Sequence, residues 1–256
     1  RPAAFCGCVG YRPTWGDIRL GGVMEASGSV DTLGIIARSV EDVALYRDVL
    51  VGITPQPLAA QAPQPPRIGF CRTPFWHQLE PTTQQSLEQL AAQLAKAGAK
   101  VSDVTLPPAF DKVEEPHQWV TSFEFARARA WEINHHYEMI SETLRNNRLK
   151  HGLACSFDTY REARAQLARL RRMMHDVMRD YDVLLVPSAD GEAPVGLNST
   201  GNANHCLIWT STHVPCMTLP LFKGPNGLPV GAQLIAARNN DRLLFEAARW
   251  VMASRG

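Results

Sequence analysis

At 256 residues, the chain is long enough for one large domain or two small ones. Its 45% hydrophobic and 20% charged residues are an ordinary globular composition with ample material for a core. A net charge of +1 gives no global field directed at nucleic acid or an anionic membrane, and no apolar run approaches the roughly 20 residues that span a bilayer.

The first third reads as loop-rich and ends in one helix. In "RSVEDVALYRDVLVG", Ser39 is placed to cap the helix and Asp42 to bond back to it. Val40, Val43, Ala44, Val49 and Leu50 supply an apolar side, and Gly52 closes the C-terminus. "TPQPLAAQAPQPP" follows with five prolines in thirteen residues, the composition of an exposed connector. "RIGFC" is a buried strand, the next stretch a helix stopped at Gly98, and residues 101–106 a second strand. Strand, helix, strand in that order predicts a βαβ-like unit.

Two long helices come next. Trp119, Phe123, Ala126, Ala130, Ile133, Tyr137, Ile140 and Leu144 form one continuous apolar stripe, and Tyr160, Ala163, Leu167, Leu170, Met174 and Val177 form another. Arg161, Arg164, Arg169, Arg171 and Arg172 mostly fall off that second stripe, as on a solvated face, with a nucleic-acid contact as the sharper alternative. "YDVLLVPS", "CMTLPLF" and "LPVGAQLIA" are apolar strands, the last two joined by "KGPNG", and a helix over about Asp241–Ala253 closes the pattern. The class is α/β with a largely buried sheet, and no repeat of solenoid period is present.

Cys6, Cys8, Cys71, Cys155, Cys206 and Cys216 are scattered, which does not describe a disulfide framework and favours a reducing cytoplasm. Cys6 and Cys8 form C-x-C without a second close pair, so small buried thiols are expected there rather than zinc ligands. A cysteine hydrolase using Cys6 or Cys8 with His213 would need a hydrogen-bonded pair in a thiolate-favouring environment. Glu132 with His135, and Glu114 with His117, have the di-metal bundle spacing, but Pro116 interrupts the second and ordinary helix polarity is the better account.

The opening "RPAAFCGCVGYRPTWG" and the later "SVDTLGIIARSVEDVALYRDVLVG" resemble the C-terminal half of the amidase signature stretch. Pro2, Ala3, Gly7, Gly10, Pro13, Thr14, Ser29, Asp31, Thr32, Gly34, Ala37, Arg38, Ser39, Asp42 and Ala44 match its spacing, with Arg12 where lysine is usual. "PCMTLPLFKGPNGLPVGAQLIA" resembles the family's C-terminal strand pair, through Pro215, Pro220, Gly227, Pro229, Gly231 and Gln233. "WEINHHYEMI" and "SFDTYREAR" most resemble the malonamidase branch.

The resemblance implies a three-layer α/β/α fold with a mixed central sheet, incomplete at its N-terminal side. It divides the chain into the end of the signature region (1–53), a linker (54–66), a helical and strand region (67–182), and C-terminal strands and helix (183–256). It also implies a serine nucleophile three positions before Arg1, with a lysine base, a second serine on a cis peptide bond and a glycine-rich oxyanion turn further upstream. A serine hydroxyl needs such a base, and developing charge on the carbonyl oxygen needs preorganised donors. The expected activity is therefore ammonia-releasing hydrolysis of a small amide by the parent protein, with these residues inactive alone. No catalytic side chain is expected within 1–256, and no metal or organic cofactor is implied.

Arg1 is the candidate for the substrate's acyl end, where a guanidinium fork would select a carboxylated acyl group such as malonamate. Trp209, Thr210 and His213 in "CLIWTSTHVPC" match the helix and turn that line the acyl pocket. Thr210 stands where many relatives have asparagine, and His213 where they have glycine. Asp31 and Arg38 read as a buried ion pair or a loop brace. The expected partners are the small amide and the missing N-terminal portion, with a homodimer as a further candidate and neither nucleic acid nor membrane. The alternatives are a noncatalytic scaffold or binding fragment, and an amidotransferase component of the A type that works on charged transfer RNA. An incomplete sheet should also expose apolar side chains along one edge or face.

Overall fold

The computed structural model describes residues 1–58 and 64–254. In chain order, the first elements are a one-turn helix α1 (Pro2–Phe5), strands β1 (Val9–Arg12) and β2 (Ile35–Ala37), and helix α2 (Val40–Val51). Then come β3 (Arg67–Cys71), α3 (Pro81–Lys96) and β4 (Lys100–Val104). A helical stretch follows with α4 (Glu114–Ala128), α5 (Ala130–His135), α6 (Glu142–Leu144), α7 (Lys150–Ala154) and α8 (Phe157–Val177). The last elements are β5 (Val183–Pro187), α9 (Asn204–Thr212), β6 (Cys216–Lys223), β7 (Pro229–Ala236) and α10 (Asp241–Ala253).

The seven strands form one mixed sheet in the order β2-β1-β6-β7-β5-β3-β4. β3 runs parallel to β4 and β5, giving the expected strand–helix–strand unit, and the other pairs are antiparallel. Alternation along β5 separates two cores. Val183 and Leu185 face α2, α3 and α10, while Leu184 and Val186 face α4, α8 and α9. This is the three-layer α/β/α arrangement, apolar on both faces because helices cover both.

Local signals account for most boundaries. Ser39 Oγ accepts the Asp42 N–H at 3.0 Å, and Gly52 closes α2 at φ 81°. The reciprocal bond to the Asp42 carboxylate is absent among the described residues. The apolar side of α2 differs from expectation: Val40, Val43, Ala44 and the carboxylate of Asp48 turn inward, whereas Val49 is 60% exposed. Asp48 is held there by the Gln56 N–H, which folds the chain after α2 back along it. Leu58 in the proline-rich connector packs against the core, and residues 59–63 lie outside the described ones.

The stripe expected from Trp119 to Leu144 does not form one helix. It holds through Phe123 and Ala126, then breaks at Arg129, and Ala130, Tyr137 and Leu144 are exposed. The reason lies in contacts with the β1–β2 loop. Arg129 donates to the Glu25 carbonyl and Arg148 to Ser27 Oγ, so the chain bends to follow the loop between β1 and β2. By contrast α8 is continuous, burying Ala163, Leu167, Leu170 and Met174.

Apolar side chains also remain uncovered at one end of the sheet. Ile36 on the edge strand β2 and Leu45, Tyr46, Val49 and Leu50 on α2 are each at least 40% exposed.

Candidate active-site cleft

One row of the sheet builds the floor of a cleft. Gly10 of β1 stands opposite Thr218 of β6, and Thr218 opposite Gln233 of β7. In strands otherwise apolar on both faces, Thr218 and Gln233 place polar atoms on the side carrying α1 and α9. Thr218 Oγ1 bonds Ser188 Oγ, and the Gln233 amide donates to the Pro187 and His205 carbonyls at 3.4 Å. Gly10 is required there: a Cβ would collide with Ala3 Cβ, so only glycine lets α1 rest on the sheet. The cleft between α1 and α9 encloses about 270 Å³.

Of the residues expected in the acyl pocket, Arg1 and Thr210 line this cleft. Arg1 is the N-cap of α1 and donates from Nη1 to the Gly201 carbonyl, and no other partner is found for its guanidinium among the described residues. Cys206, one helical turn before Thr210, lines the same wall, with its Sγ 3.9 Å from the Arg1 backbone nitrogen.

Trp209 and His213 are placed elsewhere. Trp209 is 1% exposed and packs in the core beneath α9. A side chain one position from Thr210 turns about 100° around the helix axis, away from the cleft. His213 is 4% exposed and ends α9 in the left-handed conformation, φ 66°, which favours glycine. Its Nε2–H donates to the Ser29 carbonyl at 2.8 Å and its ring stacks on Trp15 at 4.4 Å. These contacts offset the strained backbone and pin the β1–β2 loop to the end of α9.

Other expected contacts resolve differently. Asp31 braces its loop by accepting the Ala26 and Ser27 N–H groups, both at 2.7 Å, but Arg38 is exposed and makes no ion pair with it among the described residues. The guanidiniums that Asp31 acts on are those of Arg148 and Arg12; Arg12 donates to the Val214 and Val30 carbonyls and is held below the usual arginine range by burial. Cys6 is exposed and Cys8 half-buried, so neither is a core thiol, and His213 is committed to Ser29 rather than to either. Cys216 lines the cleft, but burial pushes its thiol up to about 12, where it stays protonated. No cluster of three potential metal ligands occurs among the described residues.

The residues that sequence reasoning missed have a visible signal. Thr218 is an uncharged polar residue in an apolar strand, and Cys206 falls one turn from Thr210. His117 carried the helix spacing already noted, and its Nδ1 meets Ser211 Oγ at 2.9 Å. Burial, then Arg148, pulls His117 down to about 4; burial, then Arg171, pulls His213 down to about 3. Both imidazoles are therefore neutral in the folded protein at pH 7. The unfolded chain takes up these protons near pH 6.5, whereas the folded chain resists until pH 3–4. Their contribution is full above about pH 6.5 and is lost as pH falls, by about 2 kcal/mol for each histidine on reaching pH 5. Denaturation midpoints should drop between pH 7 and 5, and less in His117→Gln; equal drops would contradict this assignment.

A family model described as Amidase matches residues 1–245. The chain belongs to the amidase family. A crystal structure of an amidase superposes on this amidase-family chain with a TM-score of 0.87 at 28% identity, over 99% of this chain and 59% of that one. The 2-amino-5-chloromuconic acid deaminase of Comamonas testosteroni is 28% identical over 98% of this chain and 57% of its own length. The indoleacetamide hydrolase of Allorhizobium ampelinum is 27% identical over 98% and 60% respectively. A mitochondrial glutamyl-tRNA(Gln) amidotransferase component of the A type, from Drosophila pseudoobscura pseudoobscura, is 26% identical over 98% and 60%. The chain thus spans under two thirds of the length of these relatives. No helix among the described residues is long and apolar enough to cross a membrane.

Proposed function

We propose that these residues form the acyl-side wall of a small-amide hydrolase of the amidase family, with Arg1 receiving a carboxylate on the acyl group. The observation that carries this reading is the meeting of Arg1 and Thr210 over the polar Thr218–Gln233 row in one small cleft. Its volume, about 270 Å³, suits an acyl group of a few carbons rather than a long chain. A relative whose name specifies a muconic acid substrate supports a carboxylated acyl end. Malonamate is the leading substrate.

In this reading the nucleophile and its base come from outside residues 1–256. Serine attack on an amide needs a base that is neutral at pH 7, and a lysine reaches that state only when buried. All five lysines, Lys96, Lys100, Lys112, Lys150 and Lys223, are exposed. The uncovered apolar band on β2 and α2 is where we place the rest of the amidase domain, in preference to a second copy of the chain. We assign the protein to the cytoplasm, in keeping with six unpaired thiols. The four segments 1–53, 54–66, 67–182 and 183–256 then belong to one domain.

Malonate titrated into the chain tests the acyl assignment. It should bind, and Arg1→Gln should weaken it by roughly ten- to a hundredfold, the worth of a charged hydrogen bond. Acetamide, which lacks the carboxylate, should show no difference between the two proteins. Equal malonate affinity in both would overturn the assignment.

A further inference from the structure

A second cleft, of about 450 Å³, lies between the C-terminal half of α8 and the turn that follows β7. Its floor is apolar, formed by Met174, Met178 and Val214. Its rim carries Arg171, Arg172, Arg179 and Arg238, with His175 and one carboxylate, Asp176, beside them. Arg179 is matched by Asp176 at 3.2 Å. No carboxylate lies within ion-pair distance of Arg171, Arg172 or Arg238 among the described residues. Arg171 donates Nε–H to the Ser211 carbonyl at 2.9 Å, and no other partner is found for its guanidinium there.

Basic residues near the end of a helix complement its dipole, which is reason enough for Arg172 on α8 and Arg179 in the turn that follows it. It does not explain Arg238, which arrives from a different element and adds a third unmatched charge. Convergence of like charges at a half-enclosed surface is destabilising unless something answers it. Its effect is visible on Arg171, pulled down to about 10 by burial and by the neighbouring Arg164 and Arg238.

We propose that this cleft binds a small organic anion, a phosphate or carboxylate carried on an apolar body. The guanidinium rim takes the anionic head in forked hydrogen bonds, and the methionine floor takes the body. A nucleic-acid backbone fits the surface less well. Carboxylates flank the α8 arginines, Asp158 and Glu162 near the helix start and Asp176 near its end, and the Arg161–Asp158 pair at 3.8 Å shortens the basic track. The concave shape and the volume are those of a small-ligand site.

Calorimetric titration of the 256-residue chain at low ionic strength tests this, with phenyl phosphate, inorganic phosphate, phenol and a single-stranded DNA oligonucleotide as probes. Phenyl phosphate should bind at least about tenfold more tightly than inorganic phosphate or phenol. The Arg172→Gln/Arg238→Gln variant should weaken phenyl phosphate by about tenfold or more, the loss of two charged contacts. Arg171 is left in place because it caps α9, and a thermal melt checks that the variant folds. Arg161→Gln and Arg1→Gln should leave the affinity unchanged, the latter separating this site from the amide cleft. No binding by the parent chain, or equal binding by the double variant, would overturn the site. Inorganic phosphate as tight as phenyl phosphate would overturn the apolar component, and oligonucleotide binding in preference to phenyl phosphate would reassign the arginines to nucleic acid.

Discussion

Asp241→Ala is expected to lower stability by about 3–5 kcal/mol, although Asp241 does not itself line the cleft. The carboxylate is 2% exposed at the first turn of α10. It accepts the Tyr11 hydroxyl at 2.5 Å, the Thr14 N–H at 2.9 Å and the Thr14 hydroxyl at 2.6 Å. Thr14 Oγ1 accepts the Asn239 N–H in turn, so the network ties β1 to the turn that starts the last helix. Truncation leaves these donors buried without an acceptor, each costing about 1–3 kcal/mol before relaxation. Burial and the adjacent Asp241 both raise the Tyr11 hydroxyl above its ordinary pKa, so it remains a donor and cannot resolve the loss by ionising. For a chain of this size the midpoint should fall by roughly 10 °C. Glu246→Ala, which removes a surface pair with Arg242 at 3.8 Å, should change stability by under about 1 kcal/mol. A similar effect from both substitutions would show that the network is not what joins β1 to α10.

Elements with strong local signals were legible in the residues. Ser39 and Gly52 mark α2, the apolar spacing marks α8, and "KGPNG" marks the β6–β7 turn, each because the signal and the tertiary burial agree. The stripe from Trp119 to Leu144 misled because its period is helical while the hydrogen bonds of Arg129 and Arg148 to the β1–β2 loop bend the chain. Periodicity reports which residues are apolar, not whether a helix has something to pack against. Asp48 shows the opposite failure: a charged residue turned inward, where side-chain chemistry predicts outward, because a loop N–H awaited it.

The site was legible only in part, for a geometric reason. A motif names a stretch of helix, but the side chains on that stretch divide between two faces. Thr210 and Cys206 look into the cleft, while Trp209 looks into the core. His213 follows from backbone conformation rather than ligand chemistry, since the position ends a helix with positive φ. The Gly10–Thr218–Gln233 row depends on strand register between segments at opposite ends of the chain, and such register leaves no local trace.

The second large effect is on catalysis. Amide hydrolysis requires a nucleophile, a base and oxyanion donors together, and loss of one oxyanion donor alone costs about 10²–10³ in rate. A wall without its reagents should show no turnover at all. The direct measurement is ammonia release from malonamate and other small primary amides by the purified 256-residue chain, followed against a buffer blank. The account predicts release indistinguishable from the blank, even where malonate binds through Arg1. Release above the blank that survives repurification would contradict it, since a hydrolytic centre would then be assembled from side chains within these residues.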